Sequence, residues 1–131
     1  MSLSSSPATT ILPIAEGDRS RQYYEQVLGL PFLGQAADGN LMFDLHGSAT
    51  LGLMPDPAAK PSQHTVMSFE VQDISAVIRD LEQRGVAFED YDLPDLKTTD
   101  HVCVLGAEKA AWFNDPDGNI LCLHENLSSK E

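Results

Sequence analysis

The sequence predicts an α+β fold built from two copies of one strand–helix–strand–strand–strand unit. Three observations carry this prediction. Two amphipathic helices each follow a strand-like segment, a hairpin pattern follows each helix, and the landmarks of the two halves keep nearly constant offsets. Asp18 and Asp73, where the helices open, are 55 residues apart, and the glycines that stop them, Gly29 and Gly85, are 56 apart. The hairpins superimpose at an offset of 70, which lays Phe43 on Phe113, Asp44 on Asn114 and Leu51-Gly52-Leu53 on Leu121-Cys122-Leu123. The change of offset requires about 14 extra residues in the second half, between Gly85 and Ala110 and expected near 91–106. A lone copy would leave its sheet uncovered, so two copies form the natural burial unit.

In chain order, residues 1–8 are expected to be disordered or a cloning remnant, because they are Ser-rich and carry no basic-then-apolar secretion signal. A strand over 9–14 leads to the first helix, which takes Asp18 as N-cap and carries Tyr23, Tyr24, Val27 and Leu28 at three- and four-residue spacings. Strands over 41–45 and 50–54 flank a turn at His46-Gly47-Ser48 and complete the first module, 9–54. Residues 55–63, rich in proline, read as a linker. The second module, 64–125, begins with period-two alternation over 65–71 and continues into a helix from Asp73 with the stripe Ile74, Val77, Ile78 and Leu81. It closes with strands over 110–114 and 119–124 around Asp115-Pro116-Asp117-Gly118, and 126–131 form a tail.

Composition narrows the function classes. The chain has 131 residues, 42% hydrophobic and 21% charged, which is ordinary for a globular domain. Eight basic residues against twenty acidic ones give a net charge of −12, which repels phosphate backbones and anionic lipid, so neither nucleic acid nor membrane is an expected partner. Two cysteines, Cys103 and Cys122, make no disulfide framework and point to a reducing, cytoplasmic setting.

Arg19-Ser20 followed by the run Tyr23-Tyr24-Glu25-Gln26-Val27-Leu28-Gly29-Leu30 resembles the first-helix signature of the vicinal-oxygen-chelate superfamily. That group includes glyoxalase I, bleomycin- and fosfomycin-resistance proteins and extradiol dioxygenases. Phe69-Glu70-Val71-Gln72-Asp73 is similar to its second-module signature, and Trp112-Phe113-Asn114-Asp115-Pro116-Asp117-Gly118-Asn119 to its last hairpin. The resemblance implies paired βαβββ modules forming a cupped eight-stranded mixed sheet, helices on the convex face and ligand in the concavity. Alternation then puts Leu12, Ile14, Leu51, Leu53, Phe69, Val71, Leu121 and Leu123 under the helices. Thr9, Ile11, Gly52, Met54, Val66, Ser68, Ile120, Cys122 and His124 face the cup.

Metal-dependent members of the superfamily hold a divalent cation with His, Glu or Gln at four cup-facing positions. Matched motif to motif, those positions fall here on Thr9, Gly52, Val66 and Cys122, which offer too few donors, so no metal and no cofactor is expected. The expected function is a metal-free small-molecule-binding domain with ligand residues Thr9, Ile11, Val66, Ser68, Trp112, Cys122 and His124. Its ligand is neutral or cationic, given the acidic charge, and the resemblance implies a homodimer. The alternative is a lyase, isomerase or dioxygenase with displaced ligands drawn from His64, His101, His124 or Glu125, so catalysis is left open. Cys122 reads as a small buried residue rather than a nucleophile, with no cation beside it in sequence. Lys97 and the acids Glu89, Asp90, Asp92, Asp95 and Asp100 read as solvated.

Overall fold

The computed structural model describes residues 3–130; residues 1–2 and 131, at the ends of the two expected terminal segments, lie outside the described residues. The chain divides into two compact units, through Pro61 and from Ser62 onward. The fold is mixed α+β, and its eight longer strands pair as two four-stranded sheets, one in each unit.

The first unit opens with a short 3-10 turn, Leu3–Ser5, and then strand β1 (Thr9–Ile14). Helix α1 (Gly17–Gln22) runs into one π turn, Tyr23–Val27. Its N-cap is Glu16 rather than Asp18, which lies in the first turn, where an acid suits the helix dipole. The π turn rotates Tyr24 to full burial against Phe43, with ring centroids 6.0 Å apart. Gly29, at φ 77°, ends it in the left-handed region glycine tolerates. Strands β2 (Phe32–Gln35), β3 (Leu41–Asp44) and β4 (Thr50–Pro55) complete a sheet ordered β1-β4-β3-β2, with β1 parallel to β4 and the rest antiparallel. Leu12, Ile14, Phe43, Leu51 and Leu53 form its buried side, as alternation requires.

The second unit repeats this plan. Strand β5 (Thr65–Glu70) precedes α2 (Ile74–Gln83), whose N-cap Asp73 accepts a hydrogen bond from the Ala76 N–H at 3.2 Å. Ile74, Ile78 and Leu81 are buried, and Gly85 follows the helix at φ 99°. The extra residues fold as a small hairpin, β6 (Asp92–Leu93) and β7 (Leu96–Lys97). They are followed by β8 (Cys103–Leu105), the edge strand that answers β2 of the first unit. Strands β9 (Glu108–Asn114) and β10 (Ile120–Asn126) give the order β5-β10-β9-β8. The chain then closes with a 3-10 turn, Leu127–Lys130, so β10 extends into what the sequence reads as tail. Leu121, Leu123, Ala111 and Phe113 are buried on the α2 side, where Phe113 meets Phe88 at 5.3 Å.

Candidate functional site

The side of the second sheet away from α2 carries most of the polar and aromatic residues the sequence singles out. Register puts Trp112, Cys122 and Ser68 in one row across β9, β10 and β5, and His124 beside Glu70 in the same sheet. Phe113, the neighbour of Trp112, goes to the core, as adjacent strand residues must. A β-bulge alters the start of β5. Ile120 pairs with Thr65 and Leu121 with Met67, so Val66 is the extra residue. Thr65, in phase with the core-facing residues of its strand by simple alternation, is therefore exposed and accepts a hydrogen bond from Trp112 Nε1 at 3.2 Å.

A polar chain crosses this face. Ser68 Oγ lies 2.6 Å from His124 Nδ1, and His124 Nε2 faces Glu70 Oε1 at 3.6 Å. Cys122 is only 6% exposed and directs its thiol to the Leu123 carbonyl at 3.2 Å. Burial pushes the Cys122 thiol up from its ordinary pKa, and the charge of Glu108 adds to the rise, while hydrogen bonds with Ser68 and the Ala111 backbone oppose it. A protonated, buried thiol is a poor nucleophile. Tyr91 comes from the inserted segment and packs edge-on against Trp112, with centroids 5.5 Å apart at 88°. Its phenol is also pushed up, by burial first and then by Glu89 and Cys122. Thr65, Glu70 and Tyr91 were not legible as site residues. The signal for Glu70 was its position two residues beyond Ser68; nothing local announced the bulge or the path of the insertion.

Thr9 and Ile11 belong to the first sheet, where they pair with Thr50 and Gly52. The Thr9 and Thr50 hydroxyls share a 2.6 Å hydrogen bond, and Ile11 is 55% exposed. The histidines proposed for a displaced metal site are not brought together. His64 Nδ1 lies 3.0 Å from the Thr65 carbonyl at the strand start, and His101 stands between Asp90 at 3.0 Å and Glu82 at 3.2 Å. Glu125 is buried and accepts from the Ile74 N–H of α2, on the opposite side of β10 from His124. The acids of the insertion are exposed, as expected of them, and three of them make surface contacts. Glu89 accepts from Asn114 Nδ2 at 3.0 Å, Asp90 from Thr98 Oγ1 at 3.1 Å, and Asp92 lies 3.7 Å from Lys97.

The sequence model described as Glyoxalase/Bleomycin resistance protein/Dioxygenase superfamily matches residues 7–123. The chain belongs to this superfamily. Solved structures share its fold. A superfamily member from Sphaerobacter thermophilus DSM 20745 superimposes with a TM-score of 0.70 at 20% identity, covering 93% of this chain and 98% of its own. A glyoxalase/bleomycin resistance protein from Streptomyces sp. CB03234 gives 0.65 at 25% identity, covering 90% and 98%. TnmS3, an antibiotic binding protein from the same organism, gives 0.66 at 22% identity, covering 90% and 93%. No curated protein matches the chain.

The metal that some glyoxalase-superfamily members hold does not suit the residues here. In the first unit the Thr9 hydroxyl is taken up by Thr50, and Gly52 has no side chain; a Cβ there would stand 3.3 Å from Met42 Sδ. In the second, Val66 is hydrocarbon at a bulge, and Cys122 is a lone thiol turned to the Leu123 carbonyl. A hard cation needs several oxygen donors, and a zinc site three or four nitrogen, sulfur or oxygen donors. Among the described residues, no group of three or more His, Cys, Asp or Glu is arranged to hold an ion.

Proposed function

We propose that the face carrying Trp112, Cys122, Ser68 and His124 binds a small neutral or cationic aromatic molecule without the help of a metal. One observation carries this reading: a half-buried indole, packed edge-on by Tyr91, borders a row of polar groups. Aromatic walls beside a few convergent polar groups are the usual chemistry of small-molecule sites. Glu70, Glu89 and Glu108 surround the face, and the net charge of −12 adds a long-range preference for cations. A protein of the same fold, TnmS3, binds an antibiotic, which supports a small organic ligand here.

Trp112 is the chain's single tryptophan, so its emission reads this face directly. A panel of cationic and neutral aromatic compounds, bleomycin among them, is titrated while emission and melting temperature are followed. A ligand present at 100 times its Kd should add about 2.7 kcal/mol of stability, and Trp112→Ala should weaken its binding about tenfold or more. A panel that alters neither signal removes the reading. We extend it to a cytoplasmic homodimer, in keeping with two free cysteines and with the exposed Ile11 and Met54 of the first sheet. Light scattering that returns only the monomer mass would remove the dimer. No helix among the described residues is long and apolar enough to cross a membrane.

A further inference from the structure

We propose that Ser68 is a nucleophile, activated by His124 and aided by Glu70 as a positioning residue, that accepts an acyl group from small aryl esters. This goes beyond ligand binding and stands on three side chains of one face. Ser68 Oγ is 2.6 Å from His124 Nδ1, while His124 Nε2 faces the Glu70 carboxylate at 3.6 Å. The carboxylate stands beyond hydrogen-bond distance, but its negative charge favours the tautomer with the proton on the nearer nitrogen, Nε2. That leaves the Nδ1 lone pair directed at the serine hydroxyl, the arrangement in which a histidine withdraws a proton from an attacking oxygen. Exposure follows the same division of labour: Ser68 is open to solvent, and His124 is half-buried.

The competing groups are otherwise engaged. Cys122, next in the row, also hydrogen-bonds with Ser68, but it is buried and its S–H is given to the Leu123 carbonyl. Both ring nitrogens of His101 face carboxylates, and His64 lies against the Thr65 carbonyl. In the reaction, Ser68 Oγ bonds to the ester carbonyl carbon as its proton passes to His124 Nδ1. The bond to the phenol oxygen breaks, and the phenol leaves with that proton. Water then attacks the acyl-serine by the same route, releasing the acid and restoring the hydroxyl. Trp112, one position across the row from Cys122, favours an aromatic leaving group.

The test mixes the whole chain with p-nitrophenyl acetate. Expected are a burst of one p-nitrophenolate per chain and one acetyl group on Ser68, located by peptide mass spectrometry. His124→Gln should slow the burst about 100-fold. Glu70→Gln should slow it about tenfold or more, with Glu70→Asp restoring most of the rate. An acetyl group on Cys122 or a lysine in place of Ser68, no burst above the buffer rate, or a His124→Gln burst at the wild-type rate overturns the proposal. The wild-type label position decides even if a variant misfolds. Ligand binding is read separately by Trp112 emission, so either proposal can fail alone.

Discussion

The Glu125 carboxylate of β10 accepts a hydrogen bond of 2.8 Å from the Ile74 N–H, the first residue of α2, and does so while buried. The first N–H groups of a helix have no partner within it, and the helix dipole favours negative charge there. One side chain thus satisfies an orphan donor and fastens the helix to its sheet, 51 residues away in sequence.

Glu125→Ala should destabilise the protein by about 2–3 kcal/mol, through the lost charge-assisted hydrogen bond and a stranded donor. Glu125→Gln, which keeps an acceptor, should lose about half as much. Urea unfolding with an unchanged slope checks both; an alanine variant as stable as the wild type would remove Glu125 as the anchor.

The last hairpin depends on Asp115 in a similar way. Its buried carboxylate accepts from the N–H groups of Asp117 and Asn119, each at 2.9 Å, and from Asn119 Nδ2 at 2.8 Å. Asp115→Ala should cost about 2–4 kcal/mol, measured by thermal or urea unfolding, because three donors lose their acceptor. Asp115→Asn should cost less, since one oxygen survives to serve the turn.

Cys122 and Tyr91 both have their pKa raised in the folded chain, chiefly by burial. Above the ordinary thiol range the unfolded chain therefore gives up protons that the folded chain retains. The stabilising contribution is complete below the unfolded value and is lost as pH rises through the folded one. The urea midpoint should fall through the alkaline range, and Cys122→Ala should flatten the early part of that fall. At neutral pH, iodoacetamide should label Cys122 about tenfold or more slowly in the native chain than in urea.

His101 has positive φ, 71°, and holds a carboxylate at each ring nitrogen. His101→Ala loses both partners and keeps the strained backbone, for about 1 kcal/mol or less per partly exposed contact. His101→Gly loses the same partners but relieves the strain, so it should be the more stable of the two. Amide exchange at Thr98 and Thr99 should quicken in both variants, reporting a loosened connection between α2 and β8.

Much of this architecture is legible before any coordinates. The stripe Ile74, Ile78 and Leu81 and the alternation around Leu121 and Leu123 place the core, because burial follows periods of 3.6 and 2. The offset shift from 56 to 70 locates the extra residues, which fold as the β6–β7 hairpin ahead of β8. The N-cap of α1 is less legible, since Glu16 and Asp18 both suit a first turn and only backbone geometry chooses. Ser68, Cys122 and His124 are nameable from strand parity, which requires only that one of Trp112 and Phe113 face with them; Thr65 is not nameable, because one bulged residue reverses parity without leaving a local signature.

By itself the sequence determined the duplicated βαβββ plan, the buried faces and the poverty of metal donors, all of which depend on residue type and spacing along the chain. Tertiary structure alone decided which groups meet: Ser68 with His124 at 2.6 Å, Trp112 with Tyr91, and Glu125 with the start of α2. Hydrogen bonds and ring contacts are short-range, and the two members of each pair lie 56, 21 and 51 residues apart. Strand register brings Ser68 to His124, the path of the inserted segment brings Tyr91 to Trp112, and the packing of α2 on its sheet brings Ile74 to Glu125.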